Sequence, residues 1–419
     1  MSEFSKEERV AFEDILEGFQ DALVLSRNVS VYATDQTMME RTGNVIWRPE
    51  PYIMQSFDGT DQTLNFKDAT QLSVPATIGF NKSVPWVMTA TELRDALQEK
   101  SLGDAARVRL ASDINVAVMN VASLQGSLVV ARGVAATGFS DVAEIESVMN
   151  EQGVPDYGRY LALSTRDYNG MAADLAGRET LQGKPLTAYE RAYVGRVASF
   201  ETFKLDYSVR ILTAAGGGAI TVNTLAGGGN VYVPEATSVA ATGERSNVDN
   251  RFQTVTFSAN ANVRAGDSFT IATVESVHHI TKEPTGELKT FRIISVGAGN
   301  TCVICPPIIS GLGGTDAELQ YKNCEVLTPA ANSAIVWLNT ATLAMNPFWH
   351  KDSIEILPGR YAVPSDSGAS VMRATTDQGI ELVMQKQYDI NTMRTKYRLD
   401  TLFGVVNKQP EMNGIIMFA

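Results

Sequence analysis

The first clear period along the chain is helical. Phe12, Ile15, Leu16, Phe19 and Leu23 recur on one face of a segment over residues 5–25, the spacing of an amphipathic helix. Ser5 followed by Glu8 reads as a capping box at its start. The opposite face carries Glu7, Glu13, Asp14, Glu17 and Asp21. Such a helix must seat its apolar stripe on its own core or on a partner, and periodicity leaves both open.

Helical period then stops. Residues 28–90 hold strand-like pieces at Asn44–Arg48, Leu72–Val74 and Val84–Val87 around a long polar stretch, Tyr52–Gln71. Asp58-Gly59 marks a turn within it. The pattern predicts an extended, projecting hairpin, and long loops of this kind are usually functional or interaction elements.

The longest helical signal covers residues 101–132, with Leu110, Ile114, Val118, Val121 and Leu128 near one stripe. A helix of about 30 residues at 1.5 Å each is a rod of about 45 Å. A second helix is predicted over Ser140–Gln152, stopped by Gly153, and a strand over Tyr160–Ser164. Thr187 with Glu190 opens a further helix toward Phe200.

From about 214 to 330 the pattern changes to short strands rich in threonine and valine: Ala219–Asn223, Asn230–Val233, Phe252–Ala259, Ser268–Val274, Thr290–Val296 and Thr301–Cys305. Turn signals such as Gly266-Asp267 and Pro284-Thr285-Gly286 separate them. Six strands at this spacing predict a small antiparallel barrel inserted into an α+β chain. Helical signal resumes over about Ser333–Met345. Beyond Pro347 the chain is strand-rich: Leu382–Gln387 and Met393–Leu399 suit a hairpin, and the apolar end, Gly414–Ala419, should pair in the core.

Composition narrows the class. The 419 residues are 44% hydrophobic and 20% charged, the balance of a soluble globular protein with room for two or three domains. The stretch Ile114–Ala131 is uncharged but carries Asn115, Asn120, Ser123, Gln125 and Ser127, too polar for a bilayer span. Met1–Arg27 alternates acids and apolar residues, unlike a signal or transit peptide; a cytoplasmic origin is expected. With no stretch that reads as a span, no membrane partner is expected; the net charge of −12 repels phosphate, so no sequence-specific nucleic-acid binding is expected.

Candidate chemistry is sparse. The three histidines are His278, His279 and His350. Neighbouring side chains of a strand point to opposite faces, so His278 and His279 should not chelate one ion. Cys302-x-x-Cys305 is half of a zinc knuckle, but its run is β-branched and only Cys324 remains as a third thiol; buried free thiols are expected. His350, Asp352 and Ser353 have the residue types of a hydrolase triad but stand side by side, whereas a triad is assembled from separated elements. Gly177–Pro185 imitates a phosphate loop with one residue too many between its glycines and Pro185 where magnesium needs a hydroxyl. The glycine runs 216–218 and 227–229 read as turns. No catalytic residue, cofactor or metal site is expected, and the chain reads as a structural or binding protein.

Several segments resemble the coat (major capsid) proteins of short-tailed phages of the P-twenty-two type. The most specific is the run from Asn247 to Ala259, NVDNRFQTVTFSA, followed by Arg264-Ala265-Gly266-Asp267. Others agree in order: Asn44–Pro49, Leu93-Arg94-Asp95, Gly126–Val129, Asp167-Tyr168, Asp174-Leu175, Gly183-Lys184-Pro185, and Phe348-Trp349 with Asp352 and Ile354. Together they cover nearly the whole chain.

The resemblance implies the α+β tailed-phage and herpesvirus capsid fold with an inserted six-stranded antiparallel barrel. It divides the chain into an N-terminal arm (1–30), a P-domain (31–49 and 79–165) with its spine helix (101–132), an E-loop (50–78), an A-domain (166–213 and 333–380), an inserted I-domain (214–332) and C-terminal strands (381–419). It also implies a non-enzymatic function: self-assembly through pentamers and hexamers into an icosahedral shell around double-stranded DNA. The implied partners are further copies of the chain, a scaffolding protein and a portal complex at one vertex. The implied location is the virion, assembled in the host bacterial cytoplasm. Scaffolding proteins of this kind use a basic helical end, which the acidic arm suits; Glu13 and Asp14 are the candidate contacts. The segment Glu235–Ser246, whose counterpart in the family contacts neighbouring capsomers, is less acidic here. A protein-filled compartment shell and an enzyme with an undetected site are the competing readings.

Overall fold

The computed structural model describes residues 6–32, 45–63, 65–66, 69–94, 96–177, 194–205, 207–214, 220–223, 225, 230–329, 331–363 and 368–418. Ser5, the false phosphate loop beyond Gly177, the Thr187–Glu190 box and both glycine runs lie outside the described residues. The chain divides into two compact units, one of residues 1–46, 76–119 and 354–406, the other of 47–75, 120–353 and 407–419.

In the first unit the arm helix runs Lys6–Ala22. Its stripe of Phe12, Ile15 and Phe19, with Leu23 beyond the last turn, is buried, so the arm docks on its own core. Its partner is the spine helix, Ala96–Gln125. Two glycines permit the close crossing: a Cβ on Gly103 would stand 2.8 Å from Ile15, and one on Gly18 would collide with the Arg107 guanidinium. Asn115, a polar residue amid the apolar spine, finishes the arm. Its Nδ2 donates to the Ala22 carbonyl (3.0 Å) and its Oδ1 accepts from the Leu25 amide (3.3 Å), satisfying backbone groups that a helix end leaves unpaired.

The sheet of this unit is built on the long strand Arg394–Asn407, which pairs on one side with Phe80–Thr89 and on the other with Glu381–Asp389. The predicted hairpin is therefore present and longer than its apolar pattern. Trp86 stacks on the directly opposite Tyr397 at 5.5 Å, and Phe80 on Phe403 at 5.2 Å, the aromatic pairing that stabilises neighbouring strands.

In the second unit a six-stranded mixed sheet runs in the order Leu128–Ala131, Asn413–Met417, Asn346–His350, Arg159–Ser164, Phe200–Leu205, Arg196–Val197. The apolar C-terminal segment is thus a central strand, as its pattern predicts. The helix expected to continue to 132 ends at Gln125, because Gly126 passes the Gly414 backbone so closely that a Cβ would lie 2.9 Å from it. β-Branched Val129 and Val130 then enter the sheet. Helices Phe139–Glu151 and Thr165–Ala176 cover one face, packing Val142, Ile145, Met149 and Met171 against Leu161 and Phe348. The second of these is not evident in the apolar pattern; Ser164 caps it, accepting from the Asp167 amide at 3.3 Å. Where a helix toward Phe200 is expected, Arg196–Val197 is instead a strand turning back onto Phe200–Leu205.

The inserted β-domain follows the path Thr221–Asn223, Asn332–Trp337, Ser268–Val277, Pro284–Val296, Thr301–Cys305, Gln253–Thr256, with Cys324–Val326 also paired to Ser268–Val277. An antiparallel bridge between Val222 and Phe257 joins the two ends of the path. Phe269 centres its core, with Phe257 at 5.7 Å and Phe291 and Trp337 each at 5.6 Å. Two expectations are corrected. Asn230–Val233 forms no strand, and Ser333–Met345 is no helix. Asn332–Trp337 pairs with Ser268–Val277, and Leu343–Ala344 with Arg210–Ile211. Ser333 and Ile335 face inward while Ala334 and Val336 are exposed, a period of two that local helix propensity conceals.

Candidate functional site

The residue types of the triad form no relay: Asp352 Oδ2 stands 3.9 Å from His350 Nδ1, but the serine hydroxyl is turned to a backbone carbonyl. Ser353 Oγ donates to the His350 carbonyl at 2.7 Å, and His350 Nδ1 accepts from the Asp352 amide at 3.2 Å, the geometry of a tight turn. Burial holds the His350 pKa below its ordinary value, with Arg159 adding to it against the pull of Asp352. His278 and His279 lie in the turn after Ser268–Val277 rather than in a strand; His278 Nδ1 accepts from the amides of Ile280 (3.3 Å) and Thr281 (3.2 Å). Cys302, Cys305 and Cys324 are free and buried, and burial pushes their thiols up to about 11, 12 and 12, far from the reactive thiolate range. Among the described residues no group of three or more His, Cys, Asp and Glu side chains is placed to hold a metal.

Glu13 and Asp14 are both exposed on the arm helix. They are not equivalent: Asp14 Oδ2 meets Lys100 Nζ of the spine at 3.1 Å.

The extended loop carries exposed apolar side chains. Strands Val45–Pro49 and Ser73–Thr77 pair at its base, and no strand occurs among the described residues between them. At the Asp58-Gly59 turn Gly59 takes a φ of +98°, and Gln62 Nε2 donates to its carbonyl at 2.6 Å. Tyr52, Met54, Phe57 and Phe66 are exposed, Phe66 to 86%.

The root of the loop is held by the inserted domain. Tyr321 Oη donates to the Thr70 carbonyl (3.2 Å) and accepts from the Leu72 amide (3.4 Å), and Gln320 Oε1 accepts from the Thr70 amide (3.1 Å). Ile53 and Leu72 pack with Tyr232, Ile309 and Tyr321. Beside this contact lies a cavity of about 80 Å³ whose charged lining includes Glu50, Arg251, His279, Lys282, Lys408 and Glu411. Glu411 Oε1 meets Lys289 Nζ at 3.3 Å, and its Oε2 faces His279 Nδ1 at 3.7 Å. Burial opposes charge on Glu411, but Lys289, His279 and Lys282 outweigh it and hold its carboxyl well below the usual carboxylate range. Arg251 grips Asp249 with Nε (2.9 Å) and Nη2 (2.7 Å) and donates from Nη1 to the Asn407 carbonyl (2.9 Å). Glu50 is pushed up to about 7 by burial first, then by Glu411 and Asp249 against the pull of Arg251. Burial likewise brings Lys282 down to about 8. Sequence reasoning could not find this cluster, because its members at 50, 249–251, 279–289 and 411 share no spacing. Its only sequence signal is the Asp249–Arg251 pair inside the Asn247 run.

Exposed apolar side chains gathered on an extended loop suit a protein that works through its surfaces. The chain matches the family described as P22 coat protein – gene protein 5 over residues 2–419, and it belongs to that family. It is similar to the solved CUS-3 coat protein I-domain, at 36% identity over 29% of this chain and 96% of that one, with a TM-score of 0.23. It is also similar to the bacteriophage PhiM1 mature capsid (9% identity, 94% of this chain and 86% of that one, TM-score 0.43) and to a chain of Mycobacterium phage Che8 (9%, 94% and 90%, TM-score 0.43). The chain is thus a shell-forming phage coat protein of the virion, in a family whose role is structural rather than enzymatic. No helix among the described residues is long and apolar enough to cross a membrane.

Proposed function

We propose that the chain closes into pentamers and hexamers of an icosahedral shell, assembled in the host cytoplasm around an internal scaffolding protein and expanding as double-stranded DNA enters, with a portal complex at one vertex. The observation that carries this reading is the extended loop with Tyr52, Met54, Phe57 and Phe66 held out in solvent. Covering one such side chain on a neighbouring copy contributes roughly 1.5–3 kcal/mol. Head-to-tail contacts repeat around a ring, and closure makes modest contacts multivalent.

The acidic arm suits a basic scaffold helix. Of its two candidate contacts Glu13 is favoured, since Asp14 already serves Lys100. The inserted β-domain, with a core of its own, supports the folding of its own subunit. The pairing of strand Asn332–Trp337 with Ser268–Val277 supports a far boundary nearer residue 338 than 332. Electron microscopy of the chain expressed alone and together with its scaffolding protein tests the reading. Uniform closed shells that need the scaffold support it. Closed shells without scaffold favour a compartment shell, and a small discrete oligomer in both cases overturns it.

A further inference from the structure

We propose that the root of the extended loop is an ionisable latch: protonated Glu50 keeps the root docked on the inserted domain, and ionised Glu50 loosens it. The argument is geometric first. Three segments distant in sequence meet around the cavity, namely the loop root at Glu50–Ile53 and Leu72, the inserted domain, and the segment 408–412. The direct polar hold on the root at Thr70 and Leu72 is the three hydrogen bonds from Gln320 and Tyr321. Glu50 stands next to that hold, since its amide donates to the Leu72 carbonyl at 2.9 Å.

The charged surroundings of Glu50 come from both other elements. The inserted domain presents Asp249, Arg251, His279, Lys282, Lys289, Tyr321 and Lys322, and the segment 408–412 presents Lys408 and Glu411. Three of the cations among them already have partners. Arg251 is committed to Asp249, Lys289 to Glu411, and Lys282 Nζ to the Lys322 carbonyl at 3.0 Å. Half-buried Glu50 therefore ionises in a confined space that already holds the carboxylates of Glu411 and Asp249, and leaving that space returns it to water.

The sign follows from linkage. The docked pKa of Glu50, about 7, lies above its free value of 4.5. Docking is therefore fully favoured below the free value and weakens by up to about tenfold per pH unit until pH reaches the docked value. Lys282 acts in the other direction and higher: its docked pKa of about 8 lies below its free value of 10.5, so docking recovers as pH rises past 8. The latch is weakest between these two ranges, near neutrality, where both half-buried groups are charged. Nothing in this depends on assembly, so it stands or falls apart from the shell reading.

Hydrogen exchange on the full-length unassembled chain tests it. Protection of the Thr70 and Leu72 amides, corrected for the intrinsic rate, should fall between pH 5 and 7, approaching tenfold per unit, while the Ile293 amide of the inserted core stays level. Glu50→Gln should flatten that slope and keep both amides protected. Tyr321→Phe removes the hydroxyl but no charge, so it should lower protection by a constant factor and leave the slope. A flat wild-type profile, an unchanged slope in Glu50→Gln, or a parallel fall at Ile293 overturns the latch.

Discussion

Asn339 Nδ2 donates to Asp267 Oδ1 at 2.9 Å, and both side chains are buried where the chain enters and leaves the inserted domain. The same amide group donates to the Leu212 carbonyl (2.9 Å), and its Oδ1 accepts from the Ser268 amide (3.1 Å). The Asn339 carbonyl accepts from the Ala214 amide at 2.9 Å. Asn339 therefore ties both connecting segments to the Arg264–Asp267 turn of the domain.

Asn339→Ala should destabilise the chain by about 2–3 kcal/mol, because it strips a partner from a buried carboxylate and leaves a buried amide and a carbonyl unsatisfied. Burial already raises the Asp267 pKa, so the charged form has little else to spare. Urea unfolding of the full chain measures the loss. A change below about 0.5 kcal/mol, the range of ordinary surface substitutions, would show that the junction is held elsewhere.

Much of this architecture is legible in the sequence, for physical reasons that differ by element. The arm and spine are readable because an exposed face opposite a buried one imposes a 3.6-residue period, and Phe12, Ile15 and Phe19 keep it. The C-terminal strand is readable because Ile415, Ile416 and Met417 are buried on both faces. Asn332–Trp337 misleads because its strand identity comes from partners some 60 and 110 residues earlier, Ile271 and Val222. The charge cluster is invisible for the same reason: Glu50, Arg251 and Glu411 meet only once the sheet has formed. Asn115 and Asn339 likewise read as polar interruptions, and the structure shows them as fasteners.

Asn115→Ala tests the first of these fasteners. It removes the acceptor of the Leu25 amide and the donor to the Ala22 carbonyl. A loss of about 1–2 kcal/mol is expected, in the range for a lost helix cap. Because the fastener lies at the end of the arm helix, limited proteolysis should cut near residues 23–29 several-fold faster than in the parent while the rest of the chain stays resistant. Uniform acceleration across the chain would contradict a local role.

Glu411→Gln isolates the buried charge pair. Lys289 is only 2% exposed, and its ammonium would lose its carboxylate partner. Removing one member of a buried pair costs about 3–5 kcal/mol, whereas replacing both by apolar groups is often near neutral. Lys289→Met combined with Glu411→Leu should therefore recover most of the loss in a double-mutant cycle. The folded-state pKa of Glu411 lies below its free value of 4.5. Its contribution is thus present above about pH 4.5 and fades as pH falls toward the folded value. In Glu411→Gln the acid-induced loss of stability below that pH should be shallower than in the parent.

Phe66→Ser separates assembly from folding. The side chain is 86% exposed in the single chain, so its removal should leave the thermal midpoint of the unassembled protein within about 1 °C, as expected for a surface site. If the loop lies on a neighbouring copy, the lost burial of about 1.5–3 kcal/mol per contact repeats at every contact of a ring. Light scattering should then show the concentration needed for assembly rising by tenfold or more, with the midpoint unmoved. An unchanged assembly threshold would mean that Phe66 faces solvent in the shell. A shifted midpoint would mean that it belongs to the fold.

Glu13→Lys and Asp14→Lys divide the arm's acidic face. Asp14→Lys places a second ammonium beside Lys100, where the ion pair spans 3.1 Å between half-exposed side chains. An exposed pair of this kind is worth about 0–1 kcal/mol, so the fold should tolerate either change. If the arm recruits a basic scaffold helix, reversing Glu13 should lower scaffold incorporation more than reversing Asp14, and the difference should shrink at high salt as screening shortens the reach of both charges. Scaffold content per shell, measured at two ionic strengths, decides it. Equal incorporation in both variants and the parent would remove the arm from the scaffold interface, leaving its acidic face as a solvated surface.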